Sequence, residues 1–171
     1  MSFYNNIAIF YDRWVSNDPL VTSLTEFYSD YISKIRSKTN VVYLGIATGR
    51  IALEIAKNNS NHIVGIELSQ NMIDICIKKF TDHKKEDQLT LLKQDIFSLH
   101  INTKNNFFIL PFRTLANFIS KNDKIKCLTS IYNNMQAGET FIFDTYIFDK
   151  KKAQKYDNKH QLGYHNKKMV K

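Results

Sequence analysis

The feature that most constrains the fold is a short apolar strand that runs directly into a glycine-bounded turn and then into a helix. Residues 40–44 (Asn-Val-Val-Tyr-Leu) are β-branched or apolar, which predicts a buried strand. The turn that follows, Gly45-Ile46-Ala47-Thr48-Gly49, has a glycine at each end, and a residue without a side chain lets the backbone approach a ligand closely. Apolar residues in the segment 51–56 then predict a helix. The sequence therefore predicts a strand–turn–helix unit with a ligand at its turn.

The alternation of strand and helix patterns continues along the chain. Further short apolar runs predict strands, and amphipathic patterns between them predict helices. The additional predicted strands are 62–67, 89–92, 107–110 and 140–143. Continuously apolar strands are typical of a sheet that is covered on both faces, and βα alternation indicates right-handed crossovers between parallel strands. We therefore expect an α/β fold with a doubly wound, Rossmann-like, mostly parallel sheet and helices on both faces.

The length and the charge distribution predict one folded domain with a basic tail. A chain of 171 residues suits a single domain. The net charge of +8 is concentrated at the end, because the last 22 residues hold eight of the 24 basic residues and one of the 16 acidic ones; the first 149 residues carry +1. We expect a core over 1–149, in which 1–38 form an N-terminal helical cap or lid. A lysine-rich tail over 150–171 is expected to be solvated or to bind an acidic partner.

The sequence does not predict a membrane segment. No apolar run reaches the ~18–20 residues that span a bilayer, and residues 1–6 lack the basic start of a signal peptide. The two cysteines, Cys76 and Cys127, fall within predicted helices, which indicates a role in the core. The histidines show no spacing typical of a metal site. We therefore expect a cytoplasmic protein without a metal.

Polar residues follow the predicted strands at the ends where ligands of open α/β sheets bind. Glu67 ends the second strand 22 positions after Gly45, and a carboxylate there can accept hydrogen bonds from both hydroxyls of a ribose. Asp95 follows the third strand, and Pro111-Phe112-Arg113 follow the fourth. The glycine turn and the distal acid, Glu67, together predict a nucleoside site. Arg50 disfavours a nicotinamide dinucleotide, because the corresponding fingerprint requires a glycine at that position.

In sequence order, these segments resemble the motifs of class I S-adenosylmethionine-dependent methyltransferases. Residues 41–50 are similar to the glycine-rich first motif, and 63–72 resemble the second, whose acid holds the ribose. Residues 94–96 are similar to the third motif, which meets the adenine, and 107–115 to the fourth. The run Phe10-Tyr11-Asp12-Arg13-Trp14 resembles the segment of small-molecule N-methyltransferases that helps to cover the cofactor.

The resemblance implies S-adenosylmethionine as the cofactor and S-adenosylhomocysteine as the product. The residues that it implies at the cofactor are Tyr11, Tyr43, Gly45, Ile46, Ala47, Gly49, Glu67, Leu68, Asp95, Ile96 and Pro111. It implies that the methyl acceptor lies near Phe112 and Arg113. The implied reaction is in-line methyl transfer to a small-molecule acceptor, for which no catalytic side chain is predicted because the cofactor is already activated by its charge.

Three departures from the family pattern leave other hypotheses open. Tyr43 stands where the family commonly has an acid, Ala47 replaces a glycine, and the polar stretch after residue 148 does not resemble the antiparallel strand pair with which the family continues. We expect that pair to be missing and the chain to be short at its C-terminal end. The alternative is a truncated or degenerate cofactor-binding or scaffold subunit without catalysis, whose sheet edge is covered in a homo-oligomer or by a companion subunit. A further alternative, an RNA-directed methyltransferase that uses the lysine tail, is disfavoured by the near-neutral core.

Overall fold

A five-stranded parallel sheet forms the centre of the chain. The computed structural model describes residues 3–16, 18, 20–35, 38–147, 164–165 and 168–169. The strands of the sheet are β1 (Asn40–Leu44), β2 (Ile63–Glu67), β3 (Leu89–Lys93), β4 (Asn106–Leu110) and β5 (Thr140–Phe143). They lie in the order β3–β2–β1–β4–β5, and every pairing between them is parallel. The predicted fold class is confirmed, and the strand order reverses between β1 and β4, which makes this the switch point of the sheet.

Helices cover both faces of the sheet. They are α1 (Phe3–Val15), α2 (Leu20–Ser33), α3 (Arg50–Asn58), α4 (Gln70–Asp82) and α5 (Lys121–Asn134). Serines cap two of them: the Ser69 hydroxyl accepts a hydrogen bond from the Met72 amide at 3.3 Å, and the Ser120 hydroxyl accepts one from the Asp123 amide at 3.0 Å. These caps fix where α4 and α5 begin.

Alternating side chains along the strands divide the core into two layers. The layer that contains Val41 and Tyr43 of β1 packs against α2, α3 and α4. The layer that contains Val42 and Leu44 packs against α5 and the turns after β3 and β4. Burial on both faces explains why the strands are apolar at nearly every position.

The two cysteines belong to these layers, as expected. Cys76 lies in the first layer and Cys127 in the second, and both are free thiols with buried side chains. Burial raises the pKa of the Cys76 thiol to about 12 and that of the Cys127 thiol to about 11. Both residues therefore act as small apolar core residues.

A short antiparallel ladder occurs near the end of the chain. Its strands, β6 (Tyr164–His165) and β7 (Lys168–Met169), pair with each other and form a sheet separate from the main one. All pairings described within the main sheet are parallel, and the separate antiparallel ladder was not predicted. Apart from these four residues, the lysine-rich tail predicted over 150–171 lies outside the described residues.

Candidate functional site

A cavity of about 740 Å³ lies at the carboxyl ends of the strands, beside the switch point. Its walls come from the segments that follow β1 to β4 and from α1. Every residue predicted for the cofactor or the acceptor lines this cavity except Gly49. The volume falls within the roughly 300–1,000 Å³ of small-molecule sites. The structure thus brings the predicted residues together, and their roles in binding stay predictions.

The turn between β1 and α3 is built from left-handed backbone. Gly45, Ala47 and Gly49 have φ angles of 69°, 51° and 72°. Gly49 faces the core rather than the cavity, because a Cβ there would overlap Cys76 Sγ and lie 3.3 Å from Phe80 Cε2. The glycine therefore lets α3 pack closely on α4. Ala47 has a side chain in a conformation that costs such residues roughly 1–2 kcal/mol, so the surroundings must hold the turn in place.

The Glu67 carboxylate holds the turn by linking it to the end of β2. Its Oε2 accepts a hydrogen bond from the Ala47 amide at 3.0 Å. Its Oε1 accepts bonds from the amides of Leu68 and Ser69, each at 2.9 Å. Because a carboxylate offers about four acceptor positions, three amides leave about one for a ligand. The sequence predicted two ribose hydroxyls at this carboxylate, and the geometry favours one while these three bonds are kept.

Asp95 stands beside an apolar wall at the β3 end of the cavity. Its Oδ1 accepts a hydrogen bond from the Phe97 amide at 2.9 Å and caps the 3₁₀ turn Ile96–Ser98. The rings of Phe97 and Phe118 pack with their centroids 4.9 Å apart. Ile96, Phe97 and Phe118 line the cavity together with Asp95. An apolar wall next to one carboxylate suits a flat ring that carries a hydrogen-bond donor, as the adenine amine does.

A residue that the sequence analysis did not include holds the turn after β4. Phe112 and Arg113 both have left-handed backbone, with φ angles of 60° and 58°. Their amides donate to the two oxygens of Asp144, Phe112 to Oδ1 and Arg113 to Oδ2, at 2.7 Å each. The Tyr28 hydroxyl also donates to Oδ1 at 2.8 Å, and burial together with this carboxylate raises the pKa of Tyr28. Asp144 directly follows β5, so the search for polar residues after strands identifies it when it is extended to the fifth strand.

The Arg113 guanidinium is an integral part of the cavity wall. Its Nη2 lies 2.6 Å from Asp18 Oδ2, and its Cζ lies 5.1 Å from the ring centroid of Phe112 and 4.8 Å from that of Tyr146. The Asp18 carboxyl has a lowered pKa because it accepts hydrogen bonds from the Leu20 amide and from Arg113. Phe112 and Arg113, the residues predicted for the acceptor, therefore form an aromatic and cationic wall together with Tyr146.

Helix α1 covers the cavity and is attached to the glycine turn. Asp12 accepts a hydrogen bond from the Thr48 hydroxyl at 2.6 Å and forms an ion pair with Lys79 of α4. Tyr11 and Trp14 line the cavity from this helix, and burial raises the pKa of Tyr11 to about 12. The segment predicted to cover the cofactor thus lies over the site, and its function as a lid stays a prediction.

Tyr43 and Arg50 shape the wall next to β1. Tyr43 is 4% exposed, and burial raises the pKa of its hydroxyl. Arg50, the first residue of α3, has its Cζ 5.6 Å from the Phe112 ring centroid and its Nη1 3.4 Å from Thr25 Oγ1. Its Nε is buried, and no described residue accepts a hydrogen bond from it. This wall therefore carries the positive charge of Arg50, whereas the family commonly has an acid at the position of Tyr43.

The residues around the cavity fit S-adenosylmethionine. The Glu67 carboxylate can accept a hydrogen bond from a ribose hydroxyl, and Asp95 stands beside an apolar wall of the cavity. The Gly45 turn, on the other side of Glu67 from Asp95, lets a ligand approach the backbone closely. In the described part of the chain, no cluster of three His, Cys, Asp or Glu residues could hold a metal ion. None of the described helices is long and apolar enough to cross a membrane.

A family model for the "Methyltransferase domain" matches residues 41–138, which is more than half of the chain. The chain belongs to this methyltransferase family. The match begins in β1 and extends beyond α5, so it includes the glycine turn, Glu67, Asp95 and the turn after β4. The resemblance to class I S-adenosylmethionine-dependent methyltransferases is confirmed, and S-adenosylmethionine is the cofactor of that class.

This methyltransferase chain aligns with only part of the length of its individual relatives. It is 31% identical over 64 residues to a mitochondrial ribosomal RNA small subunit methyltransferase of Arabidopsis thaliana, which covers 37% of the chain and 17% of the relative. It is 28% identical over 120 residues to a carboxy-S-adenosyl-L-methionine synthase of Actinobacillus pleuropneumoniae, which covers 65% of the chain and 48% of the relative. The chain thus matches less than half the length of each.

Solved structures share the fold at low sequence identity. The CcbJ methyltransferase from Streptomyces caelestis superimposes with a TM-score of 0.72 at 21% identity, over 83% of this chain and 57% of that chain. At this level of identity the likeness shows the fold alone, which hosts many functions. The reaction of this methyltransferase chain must therefore be argued from its own site.

Proposed function

We propose that this chain binds S-adenosylmethionine and transfers its methyl group to a small-molecule acceptor by in-line displacement. The observation that carries the proposal is the Glu67 carboxylate, which the Ala47 amide holds at the cavity with an acceptor position to spare. The glycine turn, Glu67 and Asp95 follow the adjacent strands β1, β2 and β3. Their order along the sheet corresponds to the order of amino-acid chain, ribose and adenine in the cofactor.

Orientation and exclusion of water are the contributions we assign to the protein. When bound, S-adenosylmethionine supplies a methyl group that the sulfonium charge already activates. Correct orientation of two reactants can lower a barrier by roughly 7–11 kcal/mol. Tyr11 and Trp14 of α1 line the cavity, and we assign to them the exclusion of water once the cofactor is bound. A tyrosine hydroxyl is protonated at neutral pH, and burial raises the pKa of Tyr11 and Tyr43 further, so we assign both the role of hydrogen-bond donors rather than bases.

The acceptor side of the cavity supports a small molecule rather than a nucleic acid. Phe112, Arg113 and Tyr146 form its wall, and Trp14 covers it from α1. The first 149 residues carry a net charge of +1, which provides little attraction for a polyanion. We propose that this core of 1–149 holds the whole cofactor site and that the tail of 150–171 lies outside it. The free, buried thiols agree with a reducing compartment such as the cytoplasm.

A non-catalytic cofactor-binding subunit is the second candidate, and the edge of the sheet at β5 favours it. Phe143, Tyr146 and Ile147 are 42%, 63% and 95% exposed there. Exposed edge strands and apolar patches are places where proteins pair with other chains. In this candidate a second copy or a companion subunit completes the acceptor side of the cavity.

Calorimetry with S-adenosylmethionine and S-adenosylhomocysteine tests the site. We expect micromolar dissociation constants, and about tenfold or greater weakening in Glu67→Gln, because the amide offers fewer acceptor positions and no charge. Glu26→Gln, which removes an exposed charge from α2, is the matched control and should bind like the unaltered chain. A folded protein that binds neither nucleoside contradicts the proposal.

A second measurement distinguishes the hypothesis of an enzyme from that of a non-catalytic subunit. The chain is incubated with S-adenosylmethionine and a panel of small amines and phenols, and formation of S-adenosylhomocysteine is followed. The Arg113→Ala variant, in which the acceptor wall is altered, gives the background rate. Formation of S-adenosylhomocysteine above that rate supports the hypothesis that the chain is an enzyme. Tight nucleoside binding without turnover on any member of the panel favours the second candidate.

A further inference from the structure

Arg50 is a cation at the cavity that has no counter-ion within the described ranges of the chain. Arg50 lines the cavity, and its buried Nε has no hydrogen-bond partner in the part of the chain that the structure describes. Its Nη1 donates a long hydrogen bond of 3.4 Å to the Thr25 hydroxyl, which itself donates to the Val21 carbonyl at 2.7 Å. A guanidinium with an unsatisfied buried donor is energetically costly, which indicates that a ligand completes its hydrogen bonds.

The carboxylates at this end of the cavity are already engaged elsewhere. Asp12 binds Thr48 and Lys79, and Asp18 binds Arg113. Asp144 accepts hydrogen bonds from the amides of the turn after β4 and from the Tyr28 hydroxyl. None of these carboxylates forms an ion pair with Arg50. The positive charge of Arg50 at the cavity therefore has no counter-ion among the described residues and is available to a ligand.

The position of Arg50 along the sheet identifies which part of a ligand it meets. Asp95 follows β3 and Glu67 follows β2, and these are the residues assigned to adenine and ribose in the proposed function. The next strand is β1, and the one after it is β4. Arg50 lies between them, since it follows the β1 turn directly and its Cζ is 5.6 Å from the Phe112 ring centroid after β4. The group beyond the ribose in this direction is the amino-acid end of the cofactor.

We propose that the Arg50 guanidinium binds the carboxylate at the amino-acid end of the bound nucleoside cofactor. The inference rests on the proposed function and adds a residue to it. The planar fork of an arginine matches the two oxygens of a carboxylate. Helix α3 adds to the attraction, because Arg50 is its first residue and its first turn carries no acidic side chain. The Phe112 ring, over which the guanidinium lies, limits the orientations of the fork.

The test compares two nucleosides that differ only in this carboxylate. S-adenosylhomocysteine carries it, whereas its decarboxylated analogue, S-adenosyl-3-thiopropylamine, keeps the ammonium and lacks the carboxylate. Dissociation constants for both are measured by calorimetry with the full chain and with Arg50→Gln, so that the four values form a double-mutant cycle. The full chain is expected to bind S-adenosylhomocysteine about 30-fold more tightly than the analogue, and Arg50→Gln should bind the two with nearly equal affinity.

Two further variants keep the interpretation clear. Arg50→Lys retains the charge without the planar fork and should show an intermediate preference for the carboxylate. Lys57→Gln removes a positive charge from the same helix away from the cavity, and it should leave both affinities unchanged. Thermal unfolding of each variant checks that it is folded.

The outcomes distinguish this inference from the proposed function. If the full chain binds both nucleosides with equal affinity, or if Arg50→Gln and Arg50→Lys keep the full preference for the carboxylate, Arg50 does not bind that group, and the nucleoside site itself stands. If the folded chain binds neither nucleoside, the proposed function fails and the inference fails with it.

Discussion

The Oε2 atom of Glu67 accepts a hydrogen bond from the amide of Ala47 over 3.0 Å, and this bond joins the two halves of the nucleoside site. It ties the end of β2 to the turn after β1, although the residues are 20 positions apart in the sequence. It also holds Ala47 in a left-handed conformation with φ of 51°. One carboxylate thus shapes the turn and determines how many acceptor positions are left for a ligand.

The first prediction is that the two ribose hydroxyls contribute unequally to binding. Glu67 already accepts three amide hydrogen bonds, so about one acceptor position is left for a hydroxyl. A hydrogen bond to a charged group contributes about 1.5–3 kcal/mol. Of the 2′-deoxy and 3′-deoxy forms of S-adenosylhomocysteine, one should therefore bind at least about tenfold more weakly than the parent, and the other nearly as well. Similar losses for both analogues in calorimetry would show that Glu67 releases its amides to bind the ribose.

Ala47→Gly should stabilise the fold. The left-handed conformation costs a residue with a side chain roughly 1–2 kcal/mol, and glycine avoids this cost while losing more entropy on folding. We expect a net gain of about 0.5–1 kcal/mol in the free energy of unfolding, measured by urea denaturation. Ala52→Gly, at a right-handed helical position in α3, is the comparison variant and should lose about 2 kcal/mol, because glycine disfavours the helix and a buried methyl group is removed. Equal losses in the two variants would contradict the account of the turn.

Asp144→Asn should weaken the turn after β4. The carboxylate accepts bonds from the Phe112 and Arg113 amides at 2.7 Å each, and an asparagine would direct a donor at one of these amides. We expect a loss of about 2 kcal/mol in the free energy of unfolding. Asp74→Asn, on the exposed side of α4, should change it by less than about 0.5 kcal/mol. If Asp144→Asn also changed the free energy of unfolding by less than about 0.5 kcal/mol, the turn would hold its left-handed residues without the carboxylate.

Alkaline pH should destabilise the protein through its two thiols. A cysteine in an unfolded chain has a pKa near about 8.5, and burial raises the values to about 12 for Cys76 and about 11 for Cys127. Because folding disfavours the thiolate, the stability is fully present below the unfolded pKa and falls as the pH rises from it towards the folded values. Between pH ~8.5 and ~10 we expect a loss of roughly 1.5 kcal/mol for each thiol.

Urea unfolding at several pH values under reducing conditions measures this effect. In Cys76→Ala the free energy of unfolding should fall less steeply with pH above pH ~8.5, because one of the two thiols is gone. The smaller side chain should lower the stability at pH 7. A free energy of unfolding that stays constant from pH 8 to 10 in the unaltered chain would contradict the prediction.

The sequence predicted the strands and the main site residues because both depend on local patterns. The five strands are short apolar runs, and their observed bounds differ from the predicted ones by one residue at most. The sequence placed Glu67 and Asp95 at the ligand edge because each follows the carboxyl end of a strand, and both line the cavity, while their roles in binding stay predictions. The short ladder of β6 and β7 was missed, since strands of two residues leave no periodicity in a sequence.

The sequence by itself determined which residues form strands, which face the core and which follow the strands, because side-chain periodicity and burial act over neighbouring residues. Only the tertiary structure decided what those residues contact. Asp144 reaches the turn after β4 because β5 pairs beside β4, and Glu67 reaches Ala47 because β2 pairs beside β1. Arg50 lacks a counter-ion among the described residues because the nearby carboxylates are held by other partners. Such contacts depend on distances between atoms that strand order and packing bring together, and no local pattern encodes them.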